Sequence, residues 1–176
     1  MYNFLKGESY MKCLCFSDSH GTSDYMRRAL KLHPDAEVIF FLGDGLSDAE
    51  ELLYDKSRAW LAVKGNCDYI SELGGAFVKK LDSITLLGKK IVFTHGDLYG
   101  VKYGTDGIIS LAKEQGADIV LFGHTHIPFE KYIPSEDEGG IYLFNPGSIG
   151  VPYRSNTSYG VINITDDGVI FSHGGF

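Results

Sequence analysis

Hydrophobic residues in this chain form short runs separated by glycines and polar turn residues. Met11 to Ser17 (MKCLCFS) is the first run, and Val38–Leu42, Trp60–Val63, Ile91–Thr94 and Ile119–Phe122 have similar lengths. Short apolar runs bounded by turn residues are typical of buried strands. The pattern therefore predicts five buried strands, each followed by a tight turn.

Amphipathic segments alternate with these runs. Apolar residues from Tyr25 to Leu32 recur at helical spacing until Pro34 ends the pattern, which predicts a helix. Similar spacing predicts helices over Ser47–Lys56 and Thr105–Gln115. The order strand, helix, strand, helix, strand is typical of an α/β protein with layered sheets.

The second half of the chain is richer in strands. Two extended segments are predicted at Phe77–Leu81 and Ser83–Leu87, and Gly88-Lys89-Lys90 is predicted to form the turn after the second. Two hairpins are also predicted, one pairing Phe129–Ile133 with Ile141–Phe144 and one pairing Tyr159–Thr165 with Val169–His173. We expect two sheets packed together with helices outside. Residues 1–10 precede the first strand, and we expect either a short disordered lead or an upstream start there. Residues 11–176 are then one domain.

Composition narrows the class of protein. The chain has 176 residues, enough for one sizeable core, and its formal net charge of −7 weighs against nonspecific binding to nucleic acid. No apolar run reaches the length of a membrane span, and the N-terminus does not resemble a signal peptide. Three cysteines fit a reducing compartment rather than a disulfide scaffold. We therefore expect a cytoplasmic protein without membrane or stable nucleic-acid partners.

Potential metal ligands follow the apolar runs. Five strand-like runs end in such residues, which are Asp18 and His20, Asp44, Asn66, His95, and His124 with His126. Ligands bind beyond the carboxyl ends of strands in open α/β sheets, so these side chains would converge if the strands were parallel neighbours. Carboxylate, imidazole and amide donors suit Mn²⁺, Fe²⁺ or Zn²⁺. Seven ligands exceed the need of one tetrahedral ion and fit two ions that share a carboxylate.

The polar blocks together resemble a known family. In order, they are Asp18-Ser-His20, Gly43-Asp44, Gly65-Asn66-Cys67-Asp68, Thr94-His95-Gly96, Gly123-His124-Thr125-His126 and Asn145-Pro146-Gly147-Ser148. This series resembles the calcineurin-like metallophosphoesterases and, more narrowly, the small YfcE-like phosphodiesterases. The resemblance runs from about Met11 to the C-terminus.

The resemblance implies a fold, a site and a reaction. The fold would be a four-layer α/β/β/α sandwich of two mixed sheets flanked by helices. The first metal would be held by Asp18, His20, Asp44 and His126, and the second by Asp44, Asn66, His95 and His124. Mn²⁺ is the favoured ion, with Zn²⁺, Fe²⁺ or Ni²⁺ as alternatives. A metal-bridging hydroxide would attack phosphorus in line in a small phosphodiester or phosphomonoester, with Asn66, His124 and Asp44 as catalytic residues. A homodimer is compatible with this family.

Two residues depart from the family pattern. Many relatives carry histidine where this chain has Cys67, and that histidine can protonate the leaving group. Because a thiol is a poor acid for an alkoxide, we expect a preference for good leaving groups. The small phosphodiesterases often read His-Gly-His where this chain has His95-Gly96-Asp97. Around the ligands, Asp68 and Asp97 are candidates to orient histidines, and Asn145 is expected to shape the wall.

Three alternatives use the same fold or metal core. A retromer subunit of this fold serves mainly in protein assembly, so this chain is alternatively a catalytically weak binding scaffold. The complete set of seven ligand-type residues argues against that reading. A DNA-repair nuclease is disfavoured because the chain is short and acidic. A Ser/Thr protein phosphatase is disfavoured because no arginine closely follows Gly43-Asp44.

Overall fold

Two five-stranded sheets pack face to face in a computed structural model, which describes residues 10–135, 139–153 and 156–176. The strands are β1 (Tyr10–Phe16), β2 (Val38–Phe41), β3 (Ala59–Ala62), β4 (Glu72–Leu73), β5 (Ala76–Phe77), β6 (Leu81–Leu86), β7 (Lys89–Thr94), β8 (Ile119–Leu121), β9 (Pro128–Ile133), β10 (Ile141–Pro146), β11 (Ser158–Thr165) and β12 (Val169–Gly175). The α-helices are α1 (Asp24–Leu32), α2 (Leu46–Glu50) and α3 (Asp106–Gln115). Short 3₁₀ helices cover Glu51–Tyr54 and Asp97–Tyr99.

The first sheet has the order β12-β11-β1-β2-β3. Successive side chains along β1 point alternately to its two faces. Leu14 and Phe16 join the core under α1 and α2, whereas Cys13 and Cys15 join the core between the two sheets. Successive side chains of a strand point to opposite faces, so one apolar run serves two cores. Cys13 and Cys15 are both 0% exposed and lie on the same face of β1.

The second sheet has the order β6-β7-β8-β10-β9. Ile91 and Phe93 of β7 face the first sheet, while Val92 packs in a third core with Ile108 and Leu111 of α3. Helices therefore cover the outer face of each sheet. The predicted four-layer α/β/β/α sandwich of two mixed sheets is confirmed.

Parallel pairing sets the position of the site. Strand β2 lies between β1 and β3 and is parallel to both, and β8 lies between β7 and β10 and is parallel to both. Two backbone hydrogen bonds fix the strand ends: Gly123 N–H donates to His95 O (2.9 Å) within the second sheet, and Ile149 N–H donates to Ser17 O (3.0 Å) between the two sheets. The carboxyl ends of these strands therefore meet at one edge of the sandwich.

Three predicted elements were wrong in their bounds. The segment Phe77–Leu81 is not one strand, because Val78 N–H bonds Ser71 O (2.8 Å) and Lys79 O accepts Lys64 N–H (2.9 Å) in irregular backbone. The predicted turn at Gly88-Lys89-Lys90 lies instead at Leu87 and Gly88, which have φ of 46° and 77°. Positive φ at both central residues is the type I′ hairpin geometry.

The third correction concerns the predicted helix Ser47–Lys56, which is α-helical only from Leu46 to Glu50 and continues as a 3₁₀ helix to Tyr54. Residues 1–9 of the predicted lead lie outside the described residues, and Tyr10 is the first residue of β1. Within the described residues, no helix has both the length and the apolar character that a membrane crossing requires.

Candidate metal centre

Backbone conformation already marks the predicted ligands. Within the described residues, six non-glycine residues have positive φ, and five of them are Asp18 (56°), His20 (46°), Asp44 (57°), His124 (67°) and His126 (59°). A left-handed conformation is costly for residues other than glycine and persists where the surroundings enforce it, most often at functional sites. The turns after β1, β2 and β8 are therefore bent in a way that aims these side chains at one point.

One group of ligands surrounds the Asp18 carboxylate, which is fully buried. Its Oδ1 lies 3.1 Å from His126 Nε2 and 3.8 Å from His20 Nε2. The two histidine Nε2 atoms are 3.2 Å apart. Asp18 Oδ2 accepts the His124 N–H (3.1 Å), but Oδ1 has no hydrogen-bond partner among the described residues. A buried oxygen left unpaired beside two imidazoles fits a bound cation.

A second group surrounds Asp44, which is only 2% exposed. Its Oδ2 lies 3.3 Å from His95 Nε2, and His95 Nε2 lies 3.1 Å from His124 Nδ1. The same Oδ2 faces the first group, 4.0 Å from His20 Nε2. Asp44 thus stands between two sets of potential ligands, Asp18–His20–His126 and His95–His124.

Backbone carbonyls orient two of the rings. His95 Nδ1 lies 2.8 Å from Leu42 O, and His126 Nδ1 lies 2.5 Å from Val151 O. Because a carbonyl only accepts, each Nδ1 carries a proton, so in the neutral ring each Nε2 has a lone pair with which to bind a cation and in the protonated ring it can donate to a carboxylate. Carbonyls carry no residue identity, so sequence could not reveal these partners.

The pKa shifts of His95 and Asp44 indicate that positive charge is favoured at this edge. Burial alone would lower the pKa of His95, but the hydrogen bond to Asp44 and the charges of Asp18 and Asp44 raise it overall. Burial likewise raises the pKa of Asp44, yet pairing with His95 outweighs it and holds that pKa well below its usual range. Two buried carboxylates beside imidazole nitrogens are stable only with protons or metal cations between them.

The Asp68 carboxylate organises the loop that carries Asp44. Its two oxygens accept four backbone N–H groups, those of Asp44 (2.8 Å), Gly45 (2.8 Å), Leu46 (2.9 Å) and Gly65 (2.8 Å). Gly65 has to be glycine, because a Cβ there would collide with Asp44 Oδ1. Asp68 therefore acts on the site through backbone, a role that sequence alone did not identify.

Asn66 and Cys67 lie at the exposed rim of the centre. Cys67 N–H donates to Asp44 Oδ1 (2.7 Å), and its Sγ lies within 4.8 Å of potential ligand atoms of Asp44 and His20. The Asn66 amide donates to Cys67 Sγ (3.3 Å). Six of the seven predicted ligands thus belong to the clustered groups Asp18–His20–His126 and Asp44–His95–His124, and the ligand role of Asn66 stays a prediction.

The remaining predicted residues have different partners. Asn145 Nδ2 donates to Gly123 O (2.9 Å) and Thr125 Oγ1 (3.1 Å), which fixes the loop that bears His124 and His126. Asp97 pairs with Lys80 (3.0 Å), so its role beside a histidine stays a prediction. Asp48 was missed: its Oδ2 accepts Ser19 Oγ–H (2.6 Å) and Gly21 N–H (2.8 Å), bracing the turn around His20.

The fold and this centre define a metallophosphoesterase-type protein, and comparison with known proteins agrees. The model of the calcineurin-like phosphoesterase superfamily domain matches residues 11–167. The chain therefore belongs to this superfamily, as its motifs predicted. This membership implies binding of divalent metal, and the buried, unpaired Asp18 oxygen and the donor set fit such an ion.

Individual relatives place the chain within the superfamily. It is 35% identical over 158 residues to the probable metallophosphoesterase YsnB of Bacillus subtilis, covering 89% of this chain and 86% of YsnB. It is 28% identical over 173 residues to the phosphodiesterase YfcE of Escherichia coli, covering 87% and 88%. The solved structure of Vacuolar Protein Sorting 29 from Cryptosporidium parvum superposes with a TM-score of 0.72 at 13% identity, covering 95% and 98%. That last likeness shows the fold alone.

Proposed function

We propose that this protein is a phosphodiesterase that hydrolyses small phosphate esters with two divalent cations. The observation that carries the proposal is the position of Asp44, whose Oδ2 faces His95 at 3.3 Å on one side and His20 at 4.0 Å on the other. One carboxylate between two ligand groups is what a pair of cations requires. The similarity to the phosphodiesterase YfcE supports the choice of reaction.

Two sets of residues would hold the ions. Asp18, His20, Asp44 and His126 would hold the first, and Asp44, Asn66, His95 and His124 the second. When bound, the cations would lower the pKa of a water and neutralise charge on the phosphoryl oxygens. Mn²⁺ is our first choice because the donors mix carboxylate, imidazole and amide, with Zn²⁺, Fe²⁺ or Ni²⁺ as alternatives.

The chain's own groups would make binding of a phosphate ester depend on bound cations. The buried carboxylates of Asp18 and Asp44 would repel an anionic substrate, so the protein alone binds it poorly. The backbone contacts of Asp68 hold Asp44 in place. The exposed amide of Asn66 stands at the rim, where it can donate to a phosphoryl oxygen.

Cys67 would bias the enzyme toward easily expelled leaving groups. Its Sγ lies in the group with His20 and Asp44, beside the centre where the phosphate ester would bind. A thiol is a weak hydrogen-bond donor, so it gives little help to an alkoxide. We therefore propose that aryl esters are cleaved much faster than alkyl esters.

The rival function is protein assembly, as a scaffold with weak or no catalysis. The likeness to Vacuolar Protein Sorting 29 is the reason for considering this second function, although at 13% identity it shows the fold alone. The clustered ligand set favours catalysis, because a scaffold has no need of a buried, unpaired carboxylate oxygen such as Asp18 Oδ1.

Turnover of bis(p-nitrophenyl) phosphate by metal-stripped protein, with and without added Mn²⁺, tests the proposal. We expect hydrolysis only with metal, a loss of at least about 100-fold in His124→Ala, and little change in the His33→Ala control, which lies outside the centre. Diethyl phosphate in the same assay reports the leaving-group preference. Metal binding without turnover of any ester would favour the scaffold, and absence of metal binding would refute both the cations and the reaction.

A further inference from the structure

A cavity of about 670 Å³ opens beside the metal centre. His124 and His126 are among its lining residues, so the cavity adjoins the metal ligands. The volume is in the range of small-molecule sites and far exceeds the volume of a phosphate group. Part of the substrate other than phosphate is therefore expected to occupy it.

The walls of the cavity are mainly apolar. Val101, Phe122, Ile127 and Phe129 line it, and the Phe122 and Phe129 rings lie at 59° with centroids 6.0 Å apart. The hydroxyl-bearing residues of the lining are Thr105, Tyr153 and Thr125, whose Oγ1 already accepts a hydrogen bond from Asn145 Nδ2 (3.1 Å). Walls of this kind favour a ring of low polarity, because a sugar or nucleobase would lose more hydrogen bonds to water than these few groups replace.

The positively charged side chain of Lys102 lines the same cavity. Lys102 lines it together with His124 and His126, and its ammonium has no hydrogen-bond or ion-pair partner among residues 10–135, 139–153 and 156–176. A lysine without a carboxylate partner next to a phosphate-binding centre can pair with an unesterified phosphate oxygen.

We propose that this cavity receives an apolar, ring-sized ester group of the substrate while Lys102 pairs with a free phosphate oxygen. The substrate class is then phosphate esters of aromatic or similarly apolar alcohols. This inference rests on the proposed function, because it takes the metal centre as the place where phosphate binds.

Binding of two phosphonates that cannot be hydrolysed tests the inference without relying on turnover. Calorimetry on the Mn²⁺-loaded protein would compare methylphosphonate with benzylphosphonate, which share the charged group and differ in the ring. We expect benzylphosphonate to bind about tenfold more tightly, because the ring is buried against apolar walls. That preference should fall to about twofold in Phe129→Ala and persist in Phe77→Ala, whose ring is 71% exposed and does not line this cavity.

Further variants separate the two parts of the proposal. Ile127→Ala, at a side chain 45% exposed, should also reduce the preference and guards against misfolding of Phe129→Ala. Lys102→Gln should weaken both phosphonates equally, by about threefold. Equal affinity of the wild-type protein for the two phosphonates, or binding of neither, overturns the inference, as does a preference kept in both wall variants. Ring preference without hydrolysis of bis(p-nitrophenyl) phosphate would instead refute the proposed function alone.

Discussion

The edge of the sandwich that carries Asp44 and the body of the sandwich use histidine differently. At the edge, His20 and His126 face each other at 3.2 Å, and His95 and His124 at 3.1 Å, around two buried carboxylates. In the body, His33 meets the Tyr159 hydroxyl (3.1 Å), while His173 meets Asn145 O (2.8 Å). The body histidines have ordinary neutral partners, whereas the edge histidines face groups that a cation would satisfy.

The histidines of this edge also differ in how deeply they are buried. His95 is fully buried and lies against Leu42 O, whereas the side chains of His20 and His126 are 25% and 22% exposed. Water can replace a lost ligand at the exposed side but not at the buried side. The two metal positions are therefore expected to respond unequally to loss of a histidine.

The largest expected effect is on metal affinity. His95→Ala should weaken Mn²⁺ binding at the second position by about 100-fold, because it removes a fully buried ligand that water cannot replace. His126→Ala should weaken binding at the first position by only about tenfold. Titration calorimetry of the metal-free proteins measures both, with His33→Ala as the control that keeps wild-type affinity. Equal losses in the two variants would show that burial does not distinguish the positions.

A smaller effect concerns the backbone that supports the edge. In Asp68→Asn, one carboxylate oxygen becomes an NH₂ group, so two of the four backbone N–H donors lose their acceptor. The free energy of unfolding should fall by about 2–4 kcal/mol. Urea unfolding of the metal-free protein, followed by circular dichroism, measures this. Asp106→Asn, at an exposed position in the first turn of α3, should cost less than about 0.5 kcal/mol, and a similar loss in both variants would contradict the role of Asp68.

The sequence predicted the position of the metal centre better than the contacts that support it. Asp18, Asp44 and His95 follow apolar runs, and parallel pairing of those strands brings their ends together. The contacts that hold the edge could not be predicted in the same way. Asp68 was predicted beside the site, but as a partner of histidines, whereas it accepts backbone N–H groups from distant segments. Lys102 lies in a loop after a 3₁₀ helix, where spacing predicts no direction for its side chain.

The wrong strand at Phe77–Leu81 has a similar cause. The segment was predicted to be extended, but the hydrogen bonds of Val78 and Lys79 go to Ser71 and Lys64, which are partners set by tertiary structure. Local pattern predicts an element when its partners lie in a regular ladder. It fails when irregular backbone supplies them.

The smallest expected effect lies in the body, at His33. Burial lowers the pKa of His33, and the charges of Lys12 and Arg58 lower it further against the opposing charge of Asp35. The folded protein therefore binds fewer protons than the unfolded chain, so this residue's contribution to stability is complete above the unfolded pKa, about 6.5, and is lost as pH falls below it. His33→Gln cannot titrate and should flatten the pH dependence of the unfolding free energy of the metal-free protein between about pH 7 and pH 5. Urea unfolding at several pH values measures the slope. An unchanged slope would assign the pH dependence to the edge histidines and leave His33 a neutral packing residue against Tyr159.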